Sequence, residues 1–325
     1  MKNIQLLQNC LTDTQLAHLM PGFKALDFRH NPRPECREFQ IFEALMEAGV
    51  PQSHDLLGAV SSRFQAKTRL NGLQVRQWIT AHPGYEVYGV HPWPQWQYLH
   101  FNSFERAHII HGPDFTARTQ QVLDAARIPI NATAPGRQHN RNLCMSSYWF
   151  GTPRFWGRFM SELVLPIMRL SPRELGSELH DYLYGNPLPY YGLSTHRAGA
   201  LPFVLERLTS LYIAAAFPGH ALYYQRDLPQ ILESCLFPFE RDLITQFHTQ
   251  VDAWDAAGVY DTEAMRYFDR ASRHGAHGWL TYMLMHPVSF DHGDPRPRLP
   301  WFARQAPAST SVTPCPAVTV PEEAW

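Results

Sequence analysis

Charge is scarce in this chain of 325 residues: 18% are Asp, Glu, Lys or Arg, against roughly 25% in an average soluble domain. The formal balance is −1, so no basic surface for nucleic acid or anionic lipid is expected. Cysteine is scarce too. Cys10, Cys36, Cys144, Cys235 and Cys315 are odd in number, widely spaced and never Cys-x-x-Cys. That argues against a disulfide framework or zinc knuckle and for reduced thiols. Long apolar runs are missing. The longest, Leu211 to Pro218, falls far short of the roughly 18 residues of a spanning helix. Met1 to Cys10 holds no signal-peptide core. The expectation is a soluble, cytoplasmic protein without a membrane span.

Several chemistries are also without their motifs. There is no G-x-G-x-x-G and no G-x-x-x-x-G-K-[ST], which sets aside a Rossmann dinucleotide site and a P-loop. Neither G-x-S-x-G nor H-E-x-x-H occurs, so a serine-hydrolase elbow and a zincin are not indicated.

Apolar and aromatic residues, by contrast, are plentiful: 45% of the chain is hydrophobic and 13% is Phe, Trp or Tyr. That excludes wholesale disorder and permits one large domain or two modest ones. Residues 36–48 read as a helix, with Phe39, Phe42, Leu45 and Met46 on one face and Gly49 as its stop. Leu56 to Val60, Tyr85 to Val90 and Leu143 to Phe150 read as strands. Helices are expected over 72–81, from Asp114 to about Ala126, from Thr152-Pro153 to about Arg169, over 200–216 and over 239–257. Ser171-Pro-Arg-Glu174 is a capping box. Strands alternating with helices imply an α/β layer with a mainly parallel sheet. Ligands of such sheets bind at the carboxyl ends of strands, which directs attention to the segments after Val60, Val90 and Phe150. From Ala303 onward Pro alternates with Ala, Ser, Thr and Val, the composition of a disordered tail.

Seventeen histidines raise a metal reading, with His108, His111 and Asp114 as the nearest approach to a ligand set; ordinary helix histidines are the alternative. Asp291-His-Gly-Asp294 reads as a turn. Four segments carry more chemistry. Asn31-Pro-Arg33-Pro-Glu-Cys-Arg37-Glu38 places Arg and Glu at a helix start, where phosphate can bind or where a solvated salt-bridged cap can form. Ser61-Ser-Arg63-Phe-Gln-Ala-Lys67 brings two cations out of a strand end toward a diphosphate, or into a plain basic loop. His91-Pro-Trp-Pro-Gln95 supplies an aromatic wall for a sugar or base, or a stiffened loop over the core. Asn102 and Glu105 would share a helix face.

In order along about residues 22–213, several segments resemble an uncharacterised bacterial glycosyltransferase-like family associated with capsular and cell-surface polysaccharide synthesis. They are Asn31 to Glu38, Asp55-Leu-Leu-Gly-Ala-Val-Ser-Ser-Arg-Phe64, Pro83-Gly-Tyr-Glu-Val-Tyr88, Asn102-Ser-Phe-Glu105, Ser147-Tyr-Trp-Phe-Gly-Thr-Pro-Arg-Phe-Trp156 and Pro202-Phe-Val-Leu-Glu-Arg-Leu208. The resemblance implies a GT-A-like nucleotide-binding α/β sandwich that moves a sugar from a nucleotide-sugar donor to a sugar acceptor. On that reading residues 1–215 form the GT-A-like domain, 216–302 a helical C-terminal extension packed on it, and 303–325 the tail. Such enzymes usually hold Mn²⁺ or Mg²⁺ through Asp-x-Asp, which this chain does not contain. Arg33, Arg37, Arg63 and Lys67 are then the candidates to meet the leaving diphosphate, with Asn31, His91 and Asn102 as further substrate contacts. Glu105 and Glu206 are the candidate bases for the acceptor hydroxyl; an ion pair with Arg207 is the other reading of Glu206. A GT-A-like module that only binds a sugar nucleotide or a partner enzyme, and a His-rich metal-dependent hydrolase, are the competing functions.

Overall fold

The computed structural model describes residues 3–285 apart from 191, 192 and 236. The expected tail and the Asp291 to Asp294 turn lie outside the described residues. The architecture is mixed α/β: a six-stranded sheet with helices on both faces.

The sheet is built from β1 (Ile4–Cys10), β2 (Lys24–Asp27), β3 (Leu56–Ser61), β4 (Val87–Gly89), β5 (Trp149–Gly151) and β8 (Ala221–Tyr223), in the order β2-β1-β3-β5-β4-β8. A separate hairpin pairs β6 (Leu188–Tyr190) with β7 (Leu193–Ala198). Strands at the expected 56–60 and 85–90 segments share one sheet with the short β5, which overlaps the expected 143–150 strand only at Trp149 and Phe150. One orientation differs from the expected mainly parallel pattern. β1 runs parallel to both neighbours and β4 parallel to β8, but β5 lies antiparallel between β3 and β4. The carboxyl end of β5 therefore points away from those of β1, β3 and β4. The residues that precede β5, not those that follow it, reach the edge where ligands bind.

Side chains alternate across the sheet, as the pleat requires. Leu57, Ala59, Val87 and Trp149 enter one core with Phe39 and Phe42 of α1 (Glu38–Glu47) and with Trp156. Leu56, Val60, Tyr88 and Phe150 enter the opposite core with Phe64, Val75 and Ile79. Phe64 begins α2 (Phe64–Thr68); Val75 and Ile79 lie on α3 (Gly72–Ala81), whose start is set by a capping box between Asn71 and Gln74. Both faces are covered, so β3 reads as one continuous apolar run. Gly58 is required by a close approach: a Cβ there would overlap the Phe150 ring.

The remaining framework includes α4 (Ser103–His111), α5 (Phe115–Ala125), α6 (Pro153–Phe159), α7 (Ser177–Tyr184), α8 (Leu201–Ala216), α9 (Pro238–Ala257) and α10 (Thr262–Met285). The helix expected from Pro153 to about Arg169 is present in three pieces, with a π-helical segment at Met160–Val164. α9 and α10 pack on each other and over the Trp96–Leu99 turn, around Tyr98, Ile244, Val251 and Phe268. No described helix is long and apolar enough to cross a membrane.

Candidate functional site

The carboxyl ends of β1 and β3 open into a cavity. Asn9 and Leu11 border it from β1, and Ser61, Arg63 and Lys67 from β3 and the start of α2. The start of α1 supplies Glu38 and the residue before it Arg37, α4 supplies Arg106 and His111, and α8 supplies Phe203, Glu206 and Arg207. Trp93 and Trp96, which follow β4, and Met145 to Tyr148, which precede β5, complete the wall.

Five cations and two carboxylates thus line one cavity. Arg63 and Lys67 are each only 8% exposed, because the strand end and first helical turn carry them inward. The Lys67 ammonium lies 5.6 Å from the centre of the Tyr148 ring, whose hydroxyl is 2.9 Å from Ser61 Oγ. The Arg106 guanidinium sits 3.9 Å over Trp96, and Trp96 is nearly parallel to Trp93. Arg37 lies 4.7 Å over Phe203. Arg207 donates to the carbonyls of Ser103 and Phe203, and burial lowers its pKa. A cation over a ring loses water while keeping a favourable electrostatic partner.

The two carboxylates are placed by strained backbone. Arg37, Ser146 and Ser147 have φ of 49°, 61° and 51°, a region that side chains other than glycine's enter at a cost. The Ser146 amide donates to Glu206, and the Ser147 hydroxyl donates to Glu38 at 2.9 Å. Burial, and then the neighbouring Glu206, raise the Glu38 pKa. Desolvation favours the neutral acid, and a second negative charge does the same.

The sequence-derived candidates divide. Arg37, Arg63, Lys67 and Glu206 meet at this cavity. Among the described residues no salt bridge joins Glu206 to Arg207: the Glu206 carboxylate takes the Ser146 amide and Arg207 donates to carbonyls, while the Glu206 charge still acts on the guanidinium. Asn31 and Arg33 do not line it. Asn31 Oδ1 accepts from Gln40 at 2.8 Å, and Arg33 pairs with Glu43. His91 is buried one layer back, edge-on to Trp96. Asn102 caps α4 by accepting from the amides of Phe104 and Glu105. Glu105 accepts from the Phe101 amide at 2.8 Å and lies near Ser272 of α10, where burial pushes its pKa up to about 7. Glu105 is therefore committed to the α4–α10 packing.

Glu38, Arg106, His111 and the Ser146-Ser147 turn join the site without having been singled out for it. Glu38 stood inside the Arg-Glu segment already flagged. Nothing in the sequence marks Arg106 or Ser146, and Ser147 only opened one of the segments of the family resemblance.

A divalent cation does not suit this donor set. The two carboxylates each already accept a hydrogen bond and share the cavity with five cationic side chains. Among the described residues no three His, Cys, Asp or Glu side chains gather to hold a metal. His108 instead bonds Thr116 at 2.8 Å.

Comparison with protein-family models, with curated proteins and with solved structures finds no match to this chain.

Proposed function

We propose that the chain is a GT-A-like glycosyltransferase that moves a sugar from a nucleotide-sugar donor to a hydroxyl-bearing acceptor. One observation carries the reading: buried Arg63 and Lys67 at the end of β3 line one cavity at the strand ends together with Arg37, Arg106, Arg207 and the Glu38–Glu206 pair.

A nucleoside diphosphate brings about two negative charges into the cavity, and burying them uncompensated is costly. Arg63 and Lys67 meet the diphosphate as it enters and as it leaves. Their charge matters most when the bond to the sugar breaks, since negative charge builds on the leaving oxygen. Trp93 offers an aromatic face to the base or sugar. The acceptor oxygen forms a bond to the anomeric carbon. The bond from that carbon to the phosphate oxygen breaks, and the diphosphate leaves with the electron pair. The acceptor's proton passes to Glu38, whose carboxylate is made more basic than an exposed one by burial and by the charge of Glu206.

The carboxylate pair also favours this reading over that of a binding module. A site that only held an anion would be weakened by two acids beside it, whereas a transferase needs a base there.

Turnover tests the reading. Purified protein is incubated with UDP-, GDP-, CMP- and dTDP-sugars, and release of the free nucleotide is followed. Release from one donor class that disappears in Glu38→Gln is the expected result. Binding without release from any donor would leave a binding module.

A further inference from the structure

A second cavity lies beside the first and shares His111 with it. Its wall comes from the end of α4, the start of α5 and the end of α7, with Asp114, Arg118, Asp181, Tyr182 and Asn186 among its residues. Two polar atoms on this wall are buried without a hydrogen-bond partner: the Tyr182 hydroxyl and His111 Nδ1. Tyr182 is 7% exposed and His111 is 9% exposed. Leaving such an atom unmatched costs about 1–3 kcal/mol, so each is a partner in want of a ligand hydroxyl.

The charge here is the reverse of that in the first cavity. Glu178, Asp114 and Asp181 outnumber the single guanidinium of Arg118. That guanidinium is held by Glu178 at 2.7 Å and lies 4.8 Å over the Tyr182 ring. A phosphorylated ligand would be repelled. An uncharged ring rich in hydroxyls would be held, since carboxylates accept from hydroxyl groups and the phenol and imidazole can donate or accept. His111 sits between the Phe203 and Phe115 rings, at 4.5 and 5.4 Å. Burial, together with Arg207, Arg106 and Arg37, holds its imidazole neutral.

We propose that this second cavity, bounded by His111, Tyr182 and Asp181, is the subsite for an uncharged carbohydrate acceptor, set against the anion-binding cavity with His111 as their common wall. The assignment rests on the glycosyl-transfer reading for the acceptor's role, but the carbohydrate site can be tested apart from it.

The experiment titrates the full chain with methyl glycosides of glucose, galactose, rhamnose and N-acetylglucosamine, and separately with UDP, using ligand-observed NMR. At least one glycoside binds. Tyr182→Phe weakens it about fivefold, the loss of one hydrogen bond, and Asn186→Trp, which fills the mouth from an exposed position, removes it. Both variants bind UDP as the unaltered protein does, and methyl glucuronide binds more weakly than its neutral counterpart. The proposal is overturned if no glycoside binds, if binding survives both variants, if glucuronide binds best, or if Asn186→Trp abolishes glycoside and UDP binding together. Glycoside binding without binding of UDP or any other nucleotide would sustain the carbohydrate site and remove the transferase reading instead.

Discussion

The Ser147 hydroxyl donates to a Glu38 carboxylate oxygen at 2.9 Å across 109 positions of sequence. It ties the first residue of α1 to the turn that leads into β5. Because β5 is antiparallel to its neighbours, that turn arrives at the same edge as the carboxyl ends of β1 and β3. The strand that departs from the parallel pattern is thus what brings Ser146 and Ser147 to the two acids.

Glu38→Gln keeps an oxygen for the Ser147 hydroxyl but cannot take a proton. Nucleotide release should fall by about 10²-fold or more, the lower end of general-base contributions. Binding of the nucleotide should hold or tighten, since one repelling charge is gone. Steady-state rates and calorimetric titration on one preparation check both halves.

Arg63→Ala and Arg33→Ala should behave differently. Arg63 lines the cavity, whereas Arg33 is engaged with Glu43 outside it. Loss of Arg63 should weaken binding of the nucleotide sugar by about 1.5–3 kcal/mol, the range for hydrogen bonds to charged groups. Loss of Arg33 should leave affinity unchanged. Equal losses in the two variants would contradict the placement of the diphosphate.

Glu105 gives a pH signature. Its pKa is pushed up to about 7 by burial, so ionising it in the fold costs stability that the unfolded chain does not lose. Stability conferred by the protonated form is complete below the unfolded value and declines as pH rises through about 7. Glu105→Gln mimics the neutral acid and can still accept from the Phe101 amide. Thermal melts should show it more stable than the unaltered protein at about pH 8.5 and equal to it at about pH 4.5. A gain of the same size at both pH values would point to some other cause.

Gly58→Ala places a methyl group against the Phe150 ring. Overpacking of this kind typically costs about 1–3 kcal/mol. Urea unfolding should show that loss as a lowered midpoint without a change in slope.

β3 was legible because strands buried on both faces are uniformly apolar. β1 was not legible, because Gln5, Gln8 and Asn9 interrupt it although all three are buried. Gln8 is satisfied by contacts far from the strand ladder: its amide donates to the carbonyls of Gln15 and His18 and its oxygen accepts from the Met20 amide. Leu143 to Phe150 looked like one strand, yet only Trp149 onward is paired. The earlier residues are apolar because they are buried, and they turn through positive φ at Ser146 and Ser147. At the site, Arg63 and Lys67 could be read because a strand end must release its next residues toward the ligand edge. Arg33 and Arg37 look alike in sequence. They separate because the chain turns through a positive φ at Arg37, which sends one side chain to Glu43 and the other to the cavity. Glu105 resembles a catalytic acid in composition, but α10, about 160 positions later, covers it, and pairings at that distance leave no local signal.

The most direct test of the central claim is a calorimetric titration of UDP-, GDP-, CMP- and dTDP-sugars into the unaltered protein and into Arg63→Ala, each with and without EDTA. Side-chain cations meet the diphosphate in this account. One donor class should therefore bind the unaltered protein equally with or without EDTA and lose about tenfold or more in affinity when Arg63 is removed. Binding that EDTA abolishes while Arg63→Ala leaves it intact, or no binding of any nucleotide sugar, would contradict it.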